Sequence, residues 1–247
     1  MRSNENLKTE YEVQPDGDSF VVLKRSTIIT SPNGKEIRSR FPALLTEVKK
    51  DLITYGINSS AEGSFYGMES AYIDFGQTSG KDNLILNIIS DMKHDKAFNI
   101  SADPESLYLV GCYRNSFFQE WNISPSCHLS NYNKLCDLVK PELSKLTLRQ
   151  IMAIVIFVTM YESSTLGLAL ITDSIRLDFL AQGLCDLLEV YNYGDIINWD
   201  MTANPNDYCR KNCCIYGTSE YPIELDSGCP IIQILEKLKK FAQFPDE

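Results

Sequence analysis

The sequence of 247 residues lacks the signatures of the common catalytic sites. It contains no glycine-rich phosphate loop, no GxSxG nucleophile elbow and no dinucleotide-binding fingerprint after a strand. Histidine, a frequent proton-transfer group in enzymes, occurs only twice, at His94 and His128. These absences favour a protein that binds a partner through its surface over an enzyme, and no cofactor is predicted.

Basic residues are also scarce. The chain has 23 Lys and Arg against 33 Asp and Glu, which gives a net charge of −10. Nucleic acids and anionic membranes both select basic surfaces, so neither is an expected partner. A basic or hydrophobic protein surface stays open as the partner.

Long hydrophobic segments are missing as well. The unbroken apolar run from Ile151 ends at Val158, whereas a spanning helix needs roughly 20 apolar residues. The N-terminus has neither the apolar segment of a secretory signal nor the Arg-rich, acid-poor composition of a transit peptide. We therefore expect no membrane insertion, a bacterial cytoplasmic location with the mitochondrial matrix as the alternative, and a monomer when the protein is free.

Eight cysteines are present, but their spacing does not match a structural zinc site. Four of them fall late in the chain, at Cys209, Cys213, Cys214 and Cys229, without the paired CxxC spacing of such sites. In a reducing compartment we expect free thiols. No metal site is predicted, and a Cys-ligated metalloprotein that uses segment 209–229 is kept as a minor alternative.

The residues that are present predict an α+β fold, with a small N-terminal antiparallel β region packed on a larger C-terminal all-helical domain. We place the boundary between residues 80 and 81, giving regions 1–80 and 81–247. The β region has short β-rich runs separated by turn residues. These runs are 11–13, 19–23, 27–30 and 35–38. Pro42 and Gly56 are suited to begin and end one helix, and the Gly- and Ser-rich stretch 57–80 is predicted to be a linking segment.

The helical domain is predicted to be organised around a long buried helix, from Thr147 to Ile175. Further helices are predicted after Asp82, from Asp103 to Trp121, over 135–139 with an end at Pro141, and from Ile175 to Tyr193. A Cys-rich segment, about 195–228, leads to a last amphipathic helix that begins at Pro230, whose lysines Lys237, Lys239 and Lys240 suit the C-terminal end of the helix dipole.

The predicted helix from Ile175 to Tyr193 has two distinct faces. Leu180 and Leu184 fall at core spacing, while four polar residues fall in one row along the helix. The row consists of Asp178, Gln182, Asp186 and Glu189. It is either a solvated face or an acidic stripe that meets a basic or polar patch on a partner, and without a nearby His we do not assign it to a metal or an acid–base pair.

Several short motifs, in order along most of the chain, resemble a known family. This family comprises the assembly chaperones of the F(1) sector of ATP synthase that bind its unassembled α subunit, found in mitochondria and alphaproteobacteria. The motifs are Phe20–Arg25 with Thr30–Pro32, Phe41-Pro42, Ser70–Asp74, His94–Phe98, Phe117–Trp121, Glu162–Leu170 and Asp186–Asp195. The family's Asp-Gly is absent after Leu23, and Tyr193 replaces its usual Trp.

The resemblance implies a chaperone without enzymatic activity. Such a protein holds the free α subunit and shields the surface that later meets the β subunit. An acidic residue on the helix before the W-G-E-like end of the last motif (Tyr193–Asp195) is important in the family, and by position this is Asp186, with Glu189 as the nearest alternative. Asp178 and Glu162 complete the predicted partner-binding set. An unrelated protein-binding scaffold module is the alternative function.

Overall fold

The computed structural model describes residues 10–57, 63–95, 132–178, 180, 181, 184 and 230–246. An antiparallel sheet comes first and helices follow, so the predicted α+β class is confirmed. The strands are β1 (Tyr11–Asp16), β2 (Ser19–Lys24), β3 (Thr27–Ile28) and β4 (Arg38–Ser39). The α-helices are α1 (Pro42–Tyr55), α2 (Phe65–Ala71), α3 (Gln77–Ser79), α4 (Lys81–Asp91), α5 (Tyr132–Lys145), α6 (Leu148–Tyr161), α7 (Ser164–Ile171) and α8 (Pro230–Ala242). A π-helical turn (Tyr72–Gly76) lies between α2 and α3, and a 3₁₀ turn (Met92–His94) follows α4.

The sheet is built on β2, which pairs antiparallel with the other three strands. Gly17 takes a φ of 61° in the β1–β2 turn, as the predicted turn requires. Arg25 and Ser26 both have positive φ between β2 and β3, which is the pattern of a type I′ hairpin. The first three predicted β runs are confirmed, although β3 is shorter than predicted. The fourth strand is displaced from the predicted run 35–38, since β4 shares only Arg38 with it and pairs with β2.

Helix α1 covers one face of the sheet and supplies the packing that such a small sheet needs. Val22 of β2 is fully buried, as are Leu44 and Val48 of α1. Pro42 stands in the first turn of the helix, and the N–H of Gly56 donates to the carbonyl of Leu52 at 2.9 Å, so both predicted ends are confirmed.

Helix α6 is the centre of the helical part, as predicted from its apolar run. It contacts α2, the π-helical turn, α4, α7 and α8. Its start is a capping box, in which Thr147 Oγ1 accepts from the N–H of Gln150 and Gln150 Oε1 accepts from the N–H of Thr147.

The prediction of one helix from Thr147 to Ile175 is wrong. The chain leaves the helical conformation at Glu162, which has a φ of 52°, and Ser163 then caps a second helix, α7. The two helices pack closely, since a Cβ added to Gly167 would lie 3.1 Å from Phe157 Cδ1. The break lets both apolar segments bury against each other.

The prediction that 57–80 is a linking segment is also wrong, because Phe65–Ser79 is helical. Ser64 accepts a hydrogen bond from the N–H of Gly67, and Phe65, Met68 and Tyr72 are buried. Burial of these side chains outweighs the weak helix propensity of the Gly and Ser residues. The boundary between regions 1–80 and 81–247 stays a prediction, and one continuous hydrophobic core contains residues from both sides of it.

Two helix ends also differ from the prediction. Helix α5 continues through Pro141 to Lys145, because Val139 and Leu143 are fully buried and stabilise the helix on both sides of the proline. Asp82 lies in the first turn of α4, and the N-cap position belongs to Gly80. The predicted helix from Asp103 to Trp121 and the Cys-rich segment lie outside the described residues.

Candidate partner-binding surface

The short helix α7 has an acidic residue in left-handed conformation next to each end. Glu162 precedes it with a φ of 52°, and Asp173 follows it with a φ of 58°. A residue with a Cβ pays roughly 1–2 kcal/mol for this conformation, which glycine adopts freely. Both residues are exposed, whereas every residue of α7 before Ile171 is buried.

The N-terminal end of α7 is fixed by a buried carboxylate. Asp95, which is 1% exposed, accepts hydrogen bonds from the N–H of Thr165 at 2.8 Å and from its hydroxyl at 2.9 Å. A negative charge at a helix N-terminus is favourable because the first N–H groups have no partner within the helix. Two of the family-like motifs, around His94–Phe98 and Glu162–Leu170, therefore meet in the structure.

The C-terminal end of α7 is a Schellman motif. The N–H of Ser174 donates to the carbonyl of Ala169 at 3.0 Å, which is the 6→1 bond of this motif, and the last α-helical bond runs from the N–H of Thr172 to the carbonyl of Leu168 at 2.9 Å. Asp173 occupies the left-handed position that glycine usually takes in this motif. The chain is thereby turned sharply before the next helical segment, which begins at Leu177.

The segment from Leu177 presents the two faces that the sequence predicts, as far as it is described. Leu180 and Leu184 are each 1% exposed, so the predicted core spacing is confirmed at these positions. Asp178 lies at the surface with a side chain that is 31% exposed, and it accepts a hydrogen bond from Nε of Arg176 at 3.1 Å. Hydrogen bonds to Asp178 raise the pKa of the Arg176 guanidinium above its ordinary value.

Of the predicted partner-binding residues, Asp178 and Glu162 are therefore at the surface. Asp186 and Glu189 lie outside the described residues, as does Gln182 in the same row.

A groove of about 500 Å³ lies between the turn after α7 and the C-terminal helix α8. Its apolar lining comes from Ile175, Leu177 and Ile232, and its charged lining comes from Asp173, Arg176, Asp178 and Lys239. The charged residues form two ion pairs, Arg176 with Asp178 and Lys239 with Asp173. Apolar groups beside polar groups at a rim are typical of protein–protein interfaces.

The α8 wall of the groove is tied to α1 by two further lysines. Lys237 contacts Asp51 at 2.9 Å, and Lys240 contacts Glu47 at 3.1 Å. Burial alone would raise the pKa of Glu47, but hydrogen bonds from Lys50 and Lys240 outweigh burial and hold this pKa below its ordinary value. The helix is thus held by charge pairs as well as by its buried apolar face.

Three charged residues of the groove were not predicted as site residues. Asp173 and Arg176 flank the predicted acidic row, and Lys239 was predicted only to complement a helix dipole. The sequence does contain one local signal for the turn, because the polar residues Thr172-Asp173-Ser174 separate two apolar segments. The partner of Asp173 lies 66 residues away along the chain and has no local signal.

No group of three or more His, Cys, Asp or Glu side chains is placed to hold a metal ion in the described part of the chain. The cysteines of segment 209–229 lie outside that part. None of the described helices has the length and apolar character that crossing a membrane requires.

The sequence matches no protein-family model and no curated protein. Solved structures do match over nearly the whole chain. An aspartate-to-lysine mutant of Atp12p from Paracoccus denitrificans has a TM-score of 0.60 and 13% identity, and the match covers 95% of this chain and 96% of that one. The crystal structure of Atp12 from Paracoccus denitrificans has a TM-score of 0.56 and 13% identity, with 94% and 93% covered. Atp12 is an F1-ATPase assembly factor, so the fold implied by the sequence resemblance is confirmed.

Proposed function

We propose that this protein is a molecular chaperone for assembly of the F1 sector of ATP synthase, and that it binds the free α subunit. The observation that carries this proposal is the full-length likeness to two Atp12 structures. The match covers about 95% of both chains, so the likeness extends over the sheet and the helices together and is not limited to one shared motif. The order of family-like motifs in the sequence supports the same function independently.

The proposed mode of action is binding without catalysis. An unassembled α subunit exposes the surface that later meets the β subunit, and exposed apolar interfaces aggregate. A chaperone that covers this surface lowers the concentration of α subunit with an exposed interface, until the β subunit replaces the chaperone. We expect this exchange to take place where F1 is assembled, in a bacterial cytoplasm or in the mitochondrial matrix.

We place the α-subunit contact on the groove and on the face that starts at Asp178. The groove is lined by three apolar side chains and by two ion pairs. In the sequence the predicted acidic row continues with Asp186 and Glu189, and Glu162 is a further exposed acidic residue at the other end of α7. A net charge of −10 favours encounter with a basic patch on the partner.

The test is a pull-down from the native host with the tagged full-length chain, followed by identification of the bound proteins. We expect the ATP synthase α subunit to be the main bound chain. The matched variants are Asp186→Lys and Glu189→Lys, which should fold normally and lose the α subunit. Recovery of an unrelated protein in place of the α subunit would contradict the proposal and favour a different scaffold function.

A further inference from the structure

Asp173 occupies a left-handed backbone position that glycine usually takes and that aspartate adopts at some steric cost. Its φ of 58° and the hydrogen bond from Ser174 to Ala169 identify it as the left-handed residue of the Schellman motif after α7. Glycine takes this position without steric cost. Backbone strain of this kind persists where the residue serves another purpose.

The side chain of Asp173 reaches across to the C-terminal helix. Its carboxylate pairs with Nζ of Lys239, 66 residues further along the chain. The Asp173 side chain is 69% exposed and that of Lys239 is 24% exposed. Ion pairs this accessible to water contribute little to stability, so the pair does not by itself explain why an aspartate stands at a strained position.

The position of the pair in the groove supplies an explanation. Asp173 and Lys239 belong to opposite walls of the groove, one in the turn after α7 and the other on α8. The turn leads through Ile175 directly to Leu177 and Asp178, which line the same groove. The Thr172 and Ser174 hydroxyls lie 2.7 Å apart and hold the turn together on either side of Asp173. The ion pair therefore joins the turn after α7 to α8 beside the residues that line the groove.

We propose that Asp173 and Lys239 are positioning residues for partner binding. Their ion pair fixes the turn 172–176 against α8, and it thereby holds the apolar lining of the groove and Asp178 in the arrangement that captures the α subunit. This inference rests on the proposed function, and it assigns to the pair a role in orienting the contact surface.

The test measures the dissociation constant of the purified full-length chain for the cognate α subunit, together with the melting temperature of each variant. Asp173→Asn tolerates the left-handed backbone but removes the charge. Lys239→Met keeps most of the length of the lysine and removes its charge. We expect each variant to weaken binding about fivefold, which corresponds to about 1 kcal/mol, and we expect Lys239→Arg to restore wild-type binding.

Lys240→Met is the matched control, because Lys240 is adjacent on α8 and pairs with Glu47, away from the groove. It should bind the α subunit as the wild type does. Asp173→Gly separates positioning from stability: relief of backbone strain should leave the melting temperature unchanged or raised, while binding weakens as in Asp173→Asn.

Wild-type binding by Asp173→Asn and Lys239→Met would overturn the positioning role. Equal weakening by Lys240→Met would overturn it as well, since general anchoring of α8 would then explain the effect. If Asp173→Gly lowers the melting temperature together with the affinity for the α subunit, then the role of Asp173 is purely structural. If the wild-type chain forms no complex with the α subunit, the proposed function itself fails, and the positioning role fails with it.

Discussion

Arg149 of α6 donates a hydrogen bond to the carboxylate of Glu69 of α2, and neither side chain has any exposure to solvent. The guanidinium also lies over two aromatic rings, 4.0 Å from the centre of Tyr72 and 5.0 Å from that of Phe241. These two rings meet edge to face at 6.4 Å. One buried cation thus joins α2, the π-helical turn, α6 and α8.

Arg149→Met should destabilise the protein strongly. Removing one partner of a buried pair leaves the other charge without compensation, which costs about 3–5 kcal/mol. The loss is expected in the free energy of unfolding measured by denaturant titration. An unchanged free energy of unfolding would show that the buried pair contributes nothing to the fold.

The double variant Glu69→Leu with Arg149→Met is the control for this prediction. It removes both charges and leaves no uncompensated carboxylate, so it should be more stable than Arg149→Met alone. The losses in free energy of unfolding of the two single variants are compared with that of the double variant. If the double variant loses as much as the two single variants together, packing of the two side chains, rather than their charges, stabilises the fold.

The C-terminal tail should contribute to the stability of the central helix. The Asp246 carboxylate accepts hydrogen bonds from the N–H groups of Leu148 at 2.7 Å and Arg149 at 2.8 Å, in the first turn of α6. Asp246→Ala should lower the free energy of unfolding by about 1 kcal/mol, as for other helix caps. Asp246→Asn keeps an acceptor oxygen, so it should lower the free energy of unfolding by less than Asp246→Ala does. An equal decrease in the two variants would contradict a capping role.

Stability should depend on Glu47 in a pH-dependent way. The pKa of Glu47 is lower in the folded chain than the ordinary value of 4.5, so its ionised form stabilises the fold. This stabilisation is complete above about pH 4.5 and is lost as the pH falls through the folded pKa. Unfolding of wild type and Glu47→Gln should therefore differ at pH 7 and converge in acid, whereas a difference that is constant with pH would contradict the assignment.

The parts of the fold that the sequence predicted well depend on local signals. Helix α1 begins at Pro42 because proline fits the first helical turn, and it ends before Gly56 because glycine accepts the positive φ of 78° there. The break at Glu162 was missed because a glutamate, rather than glycine, takes the left-handed position. The helix over Phe65–Ser79 was missed because its stability comes from burial in the core, which a Gly- and Ser-rich composition conceals.

The candidate surface was predictable only in part, for a similar reason. Asp178 and the core positions Leu180 and Leu184 follow from helical periodicity, which is local. The groove depends on α8 lying beside the turn after α7, and the contact between Lys239 and Asp173 is set by the whole fold. Glu69 and Arg149 are likewise 80 residues apart in the sequence, so neither local segment predicts that they form a pair.

The most direct test of the proposed function is binding of the cognate α subunit to the purified full-length chain, with the cognate β subunit and an Asp186→Lys variant measured alongside. We expect the wild-type chain to form a stoichiometric complex with the free α subunit, and we expect an excess of β subunit to displace the chain from this complex. Asp186→Lys should keep its melting temperature and lose the complex. Absence of a complex between the wild-type chain and the α subunit would contradict the proposed function.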